Sequence, residues 1–187
     1  MPVLISHADV RDETYQANRQ AQLALIDQLN AQLELAIAGG GERSQQRHRD
    51  RGRLLARERI ELLLDPDSPF LELSSLAAWG TEFTVGASMV TGVGVVSGVE
   101  CVIVAHDPTV RGGAANPYSL RKGLRALEIA RVNRLPVINL VESGGADLPT
   151  QSEIFIPGGR GFRDLTQRSA AAVPTISLVF GDRKSVV

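Results

Sequence analysis

Residues 141–149, Val141-Glu142-Ser143-Gly144-Gly145-Ala146-Asp147-Leu148-Pro149, run from an apolar stretch into a turn of small side chains. With no bulky group in the way, the main-chain N–H groups of Gly144, Gly145 and Ala146 can come close to a ligand. Fixed donors of this kind stabilise charge that develops on a carbonyl oxygen, often the largest single contribution to catalysis. The turn therefore suggests chemistry on an acyl carbonyl, although on composition alone a tight strand-to-loop turn is the simpler reading. Glu142 stands beside it without a visible partner carboxylate and reads as a hydrogen-bonding anchor rather than a general base. His106-Asp107 has no Ser or Cys nucleophile motif alongside and reads as a turn-capping pair. His7, His48 and His106 show no metal-ligand spacing, so no metal site is expected.

Such a turn needs a strand before it and layers around it. Residues 136–141 form a short, continuous apolar strand. Ahead of it, Asn116-Pro117 makes a good helix start, a capping side chain followed by proline at the first helical position. Leu120, Leu124 and Leu127 mark the buried face of that helix through about Asn133. Beyond the turn the sequence predicts a long glycine-containing loop, a helix over 162–172 and a strand over 174–180. Upstream the period is two: residues 89–96, a Ser97-Gly98 turn and residues 99–105 read as a β-hairpin. Gly92, Gly94 and Gly98 superficially resemble a dinucleotide fingerprint, but no helix opens after them. Strand, helix, strand, helix, strand predicts an α/β fold with parallel strands in layers and right-handed crossovers, its topology left open.

The chain divides near residue 70. Ile26, Leu29, Leu33 and Ile37 recur at helical spacing within residues 15–38, until Gly39-Gly40-Gly41 stops the pattern. Seven arginines, from Arg43 through Arg47, Arg49, Arg51, Arg53 and Arg57 to Arg59, then lead into Ile60, Leu62, Leu63 and Leu64 before Asp65-Pro66, predicting a second, basic helix. The run lacks aromatics and is interleaved with Glu42, Asp50, Glu58 and Glu61, which favours a solvated or subunit-facing helix over nucleic-acid binding.

At 187 residues and 43% hydrophobic content the chain can close a sizeable core. Twenty basic against 21 acidic residues, a net charge of -1, give no global case for nucleic acid or an anionic membrane as partner. The single cysteine, Cys101, lies in an apolar alternating run, belongs in the core and has no partner for an internal disulfide. No membrane-length apolar span or signal-peptide core appears, and Asp9, Asp12 and Glu13 spoil any transit-peptide pattern. A reducing, cytoplasmic setting is the expectation.

Several blocks, in order, resemble one family. They are Arg57-Glu58-Arg59-Ile60; Leu64-Asp65-Pro66-Asp67-Ser68-Pro69-Phe70-Leu71-Glu72; Val96 to Ala105; Val110-Arg111-Gly112-Gly113; Leu124 to Ala130; and Ser143 to Gln151. Together they resemble the carboxyltransferase (beta) subunit of biotin-dependent acyl-CoA carboxylases, in the crotonase-like superfamily. Asp147-Leu148-Pro149 with Gln151 and Phe155 is similar to the methylcrotonyl-CoA carboxylase branch, where propionyl- and acetyl-type subunits usually carry arginine and isoleucine after Gly-Gly-Ala. The resemblance implies a crotonase-like layered spiral of β-strands with crossover helices. It divides the chain into an N-terminal helical segment, residues 1–70, a partial carboxyltransferase domain, 71–181, and an atypical tail, 182–187.

It further implies transfer of a carboxyl group from carboxybiotin, carried on a separate biotin carboxylase/biotin carrier (alpha) subunit, to the carbon beside the thioester carbonyl of an acyl-CoA. The same resemblance implies that no cofactor is bound covalently, that the holoenzyme is ATP-dependent, and that no side-chain base is needed because released biotin takes the substrate proton. Intact members resemble ring-like hexamers. Coenzyme A calls for main-chain donors, a helix N-terminus and a few cations. Arg111, Gly112 and Gly113 with the following helix start are the candidates, Arg121 and Lys122 lie one turn on, and Tyr118 either stacks on adenine or packs. After Gly181 the family's second Gly-Gly-Ala-Tyr block gives way to Asp182-Arg183-Lys184-Ser185-Val186-Val187, so the expectation is a truncated chain with half of an acyl-CoA site. The alternatives are a crotonase-type hydratase or isomerase, disfavoured by the N-terminal blocks, and a noncatalytic fragment that binds acyl-CoA or a partner.

Overall fold

A computed structural model describes residue 6 and residues 8–181, so His7 and the tail at 182–187 lie outside the described residues. Five strands form one sheet in the order β1 (Leu71–Leu73), β2 (Met89–Val96), β3 (Val99–His106), β4 (Val137–Val141) and β5 (Thr175–Val179). The first three are antiparallel and the last three parallel. The expected hairpin is present, β2 and β3 pairing from Met89 with His106 to Val96 with Val99. Asp65 holds its turn, its two carboxylate oxygens accepting from Ser97 N and Gly98 N at 2.7 Å each.

The alternation of β3 sorts its side chains into two cores. Cys101, Ile103 and Ala105 face Ala56 and Ile60 of one helix, with Ile138 and Leu140 beside them. Val102 and Val104 face Ala126 and Ala130 of another, with Val137. β4 is covered on both faces, which is why it reads as unbroken apolar sequence rather than alternation. Ile103 and Leu140 are almost wholly enclosed, each contributing about 1.5–3 kcal/mol of burial.

Three helices precede the sheet: α1 (Glu13–Ala38), α2 (Glu42–Arg49) and α3 (Ala56–Leu63). The single basic helix expected after Gly41 is thus two, interrupted at residues 50–55. α1 buries only Ala36 and leaves Ile26, Leu29 and Ile37 exposed. The crossovers are α4 (Pro117–Asn133), between β3 and β4, and α5 (Gln151–Ala170), between β4 and β5. α5 corrects the expected loop. It starts eleven residues before Phe162 and carries Pro157 and three glycines, because packing of Ile154, Asp164 and Arg168 inward outweighs local propensity.

Candidate active site

Three loops meet at the carboxyl ends of the parallel strands, where open α/β sheets bind ligands. They follow β3 (residues 107–115), β4 (142–150) and β5 (180–181). The first two are stitched together. Ala115 N donates to Gly145 O at 2.7 Å and Asp147 N to Ala115 O at 2.8 Å, a short parallel bridge between Ala115 and Ala146. Ser143 Oγ donates to Gly113 O at 3.2 Å and accepts from Gly145 N at 3.1 Å. Gly113 is held so close to the Glu142 carbonyl oxygen that a Cβ would collide with it, and both Gly113 (φ 71°) and Gly145 (φ 98°) occupy the left-handed region.

The proposed donors differ in consequence. Gly145 N is already engaged by Ser143 Oγ. Ala146 N and Gly144 N have no acceptor among the described residues. In the bridge to Ala115 the neighbours of Ala146 make both bonds, so its own N–H points to the opposite side. Ala146 is therefore the open donor of the bridge, and Gly144, exposed to solvent, is the second unengaged amide.

The structure brings Arg111, Gly112 and Gly113 against this turn. Arg111 Nη1 lies 3.6 Å from Asp147 Oδ1, and its guanidinium sits 5.4 Å from the centroid of the Phe83 ring. The expected help from the α4 N-terminus is not available. Asn116 Oδ1 accepts from Tyr118 N and Ser119 N at 2.9 and 3.0 Å, Leu120 N bonds to Asn116 O at 3.0 Å, and Pro117 has no N–H. Lys122 is also not brought to the site. It is buried, its Nζ donates to Gly86 O and Met89 O at 3.2 and 2.7 Å, and burial pushes its pKa down to about 8. Tyr118 packs against Phe83, ring centroids 5.5 Å apart, with Arg121 over its outer side at 5.4 Å.

Glu142 is the anchor the sequence suggested, held by partners it did not reveal. Arg59 Nη2 pairs with Oε2, Arg53 Nη1 donates to Oε1 at 2.6 Å, and His48 Nε2 lies 3.7 Å from Oε2. Two of those partners are arginines of the run read as solvated or subunit-facing; Arg59 is buried. Asp107 caps its turn, accepting from Thr109 N at 2.9 Å and Thr109 Oγ1 at 2.5 Å. His106 is buried enough that its pKa is lowered, and its Nδ1 has no partner among the described residues. No group of three His, Cys, Asp or Glu side chains among the described residues is placed to hold a metal ion.

The parallel strands of an α/β sheet thus end in a small-residue turn whose Ala146 amide has no acceptor among the described residues. The chain belongs to the carboxyl transferase domain family, whose model matches residues 47–185. It is 62% identical over 180 residues, 96% of its length, to a probable biotin-dependent acyl-coenzyme A carboxylase beta2 subunit of Mycobacterium tuberculosis, and covers 34% of that protein. It is 49% identical over 162 residues, 84% of its length, to the biotin-dependent 3-methylcrotonyl-coenzyme A carboxylase beta1 subunit of the same organism, covering 31% of it. The geranyl-CoA carboxylase beta subunit of P. aeruginosa matches in structure with a TM-score of 0.86 at 39% identity, over 94% of this chain and 34% of that one. The chain thus spans about a third of the length of the relatives it matches. The mixed α/β sheet with crossover helices is the crotonase-like fold of these beta subunits.

Proposed function

We propose that the full-length protein carrying these residues performs the carboxyltransferase half-reaction of a biotin-dependent acyl-CoA carboxylase, on an acyl-CoA such as 3-methylcrotonyl-CoA. The single observation that carries this is the Ala146 amide, unengaged among the described residues and aimed away from the bridge that fixes it. An N–H held there receives the thioester oxygen as the neighbouring carbon loses its proton and negative charge moves onto oxygen. The 3-methylcrotonyl reading rests on the Asp147-Leu148-Pro149 variant of the turn and on the 49% identical relative of that name.

The carboxylates near the turn are committed to structure. Glu142 is neutralised by two arginines, and Asp147 accepts from Thr150 Oγ1 at 2.8 Å while facing Arg111. The turn therefore orients the acyl group and stabilises charge, and supplies no side-chain base. Carboxybiotin, on a separate biotin-bearing subunit, supplies the carboxyl group and, once it is released, the acceptor for the substrate proton. Gly112 and Arg111 flank the turn on the side where the nucleotide of coenzyme A would lie. Transcarboxylase 12S, a structural relative, assembles as a hexamer, and a ring of subunits is the arrangement this reading favours. The boundary between an N-terminal helical segment and the transferase domain is proposed near residue 70, and the compartment as the cytoplasm. No helix among the described residues is long and apolar enough to cross a membrane.

The test combines the full-length protein with its biotin-bearing partner, ATP, bicarbonate and a panel of acyl-CoAs. Labelled bicarbonate should be fixed into the acyl chain. Replacing the Ala146 N–H by an ester oxygen, by incorporating the α-hydroxy analogue of alanine, should lower kcat about 10²–10³-fold with a much smaller change in KM. An ester variant with full kcat would remove Ala146 from the mechanism, and no fixation with any acyl-CoA would remove the reaction.

A further inference from the structure

We propose that Arg59 and Arg53 are positioning residues for the carbonyl-binding turn and that they act through Glu142, an inference that rests on the reaction proposed above. Glu142 is the first residue past β4 and directly precedes Ser143, whose hydroxyl sets the Gly145 amide. Its carboxylate is 6% exposed, and both oxygens are taken, Oε2 by Arg59 and Oε1 by Arg53. His48 closes the cluster. Its Nε2 lies 3.2 Å from Leu54 O and 3.4 Å from Arg59 Nη2. On the far side the Phe180 ring, just past β5, covers the Arg59 guanidinium with its centroid 4.4 Å away. The end of α2, the 50–55 connection, α3, and the ends of β4 and β5 therefore converge on one side chain beneath the turn.

A buried ion cluster is a poor way to gain net stability, because desolvation consumes most of the attraction. What it does supply is direction. A carboxylate held by two guanidinium groups fixes where β4 ends, and the Glu142 main chain pressed against Gly113 fixes where the turn begins. From there Ser143 ties to Gly113 O and to Gly145 N, and the next amide is that of Ala146. Displacing donors by about 1 Å is enough to cost on the order of 10²-fold in rate. Through this cluster the N-terminal helices, which among the described residues make no hydrogen bond to the turn's donors themselves, set the aim of those donors.

The experiment uses the full-length protein with its biotin-bearing partner and compares Glu142→Gln, Arg59→Lys, Arg59→Met and the Glu142→Gln/Arg59→Met double variant. Glu142→Gln and Arg59→Met should each lower kcat at saturating acyl-CoA by about 10- to 100-fold while KM stays within about threefold. Arg59→Lys should recover part of the loss, and the double variant should be no slower than the slower single. Arg57→Met, on the same helix, removes the Arg57–Glu72 pair (Nη2 to Oε1 3.0 Å) and should lower the melting temperature with wild-type kcat. Wild-type kcat per folded molecule in Glu142→Gln and Arg59→Met would overturn the proposal, whatever their melting temperatures. If the unmutated protein carboxylates no acyl-CoA, the functional reading has failed instead. Hydrogen exchange at 143–146 then decides the positioning: faster in Glu142→Gln supports it, unchanged overturns it.

Discussion

At Arg111 the interactions of one side chain separate binding from chemistry. Its guanidinium is more than half exposed, shares a weak 3.6 Å contact with Asp147 and rests on Phe83. An exposed ion pair at this distance contributes little to stability, so the group is available to an incoming phosphate without unfolding anything. It lies beside, not in, the Ala146 donor position. Arg111→Ala should therefore raise KM for acyl-CoA about threefold to tenfold and leave kcat nearly unchanged. With an acyl-pantetheine, which lacks the nucleotide phosphates, wild type and variant should have the same KM. An equal penalty on both thioesters would mean that Arg111 shapes the turn and does not read the nucleotide.

Among the elements, α4 shows how a helix can look like a phosphate site and act as a pillar. Its start is self-capped by Asn116 and Ser119, and its Lys122 reaches down to the carbonyls of Gly86 and Met89. Burial depresses the Lys122 pKa from 10.5 to about 8, with Glu72 raising it and Arg57 lowering it by smaller amounts. Below pH 8 the lysine is protonated both folded and unfolded, and the fold carries the full cost of the buried cation. Between pH 8 and 10.5 the folded form releases its proton first, the unfolded chain binds more protons, and stability rises with pH. The gain is at most about 3 kcal/mol and levels off above pH 10.5. Urea unfolding of the full-length protein and of Lys122→Met at about pH 7, 8, 9 and 10 checks this: wild type should gain on the variant across that interval, and parallel curves would refute it. The hairpin, α4 and β4 were legible in sequence because each advertises a local period or cap. The first half of α5 was not, since Pro157-Gly158-Gly159 spells a loop and only contact with α4 makes it helical. The Arg59–Glu142 pair was invisible for a different reason: 83 residues separate the partners, and no local pattern marks which arginine of the run turns inward.

For the molecule as a whole, the two faces of the sheet are covered unequally. α3 seals β2, β3 and β4 through Ala56 and Ile60, but the same face runs on to Ile176 and Leu178 of β5, which are 50% and 42% exposed. Val179 and Phe180 are exposed too, and among the described residues β5 pairs only with β4, so one edge of the strand has no ladder. α5 adds Phe155, Ile156 and Phe162 to the uncovered apolar surface. An unpaired apolar edge is a template for another strand. The 187-residue chain expressed by itself should therefore self-associate, with light scattering that grows with concentration. Ile176→Lys with Leu178→Lys should raise the monomer fraction several-fold in size-exclusion chromatography, because neither side chain belongs to the core beneath α3 and like charges on the edge oppose pairing. A wild-type chain that stays monomeric at high concentration, or a double variant that aggregates as before, would show that the edge of β5 is not the adhesive surface.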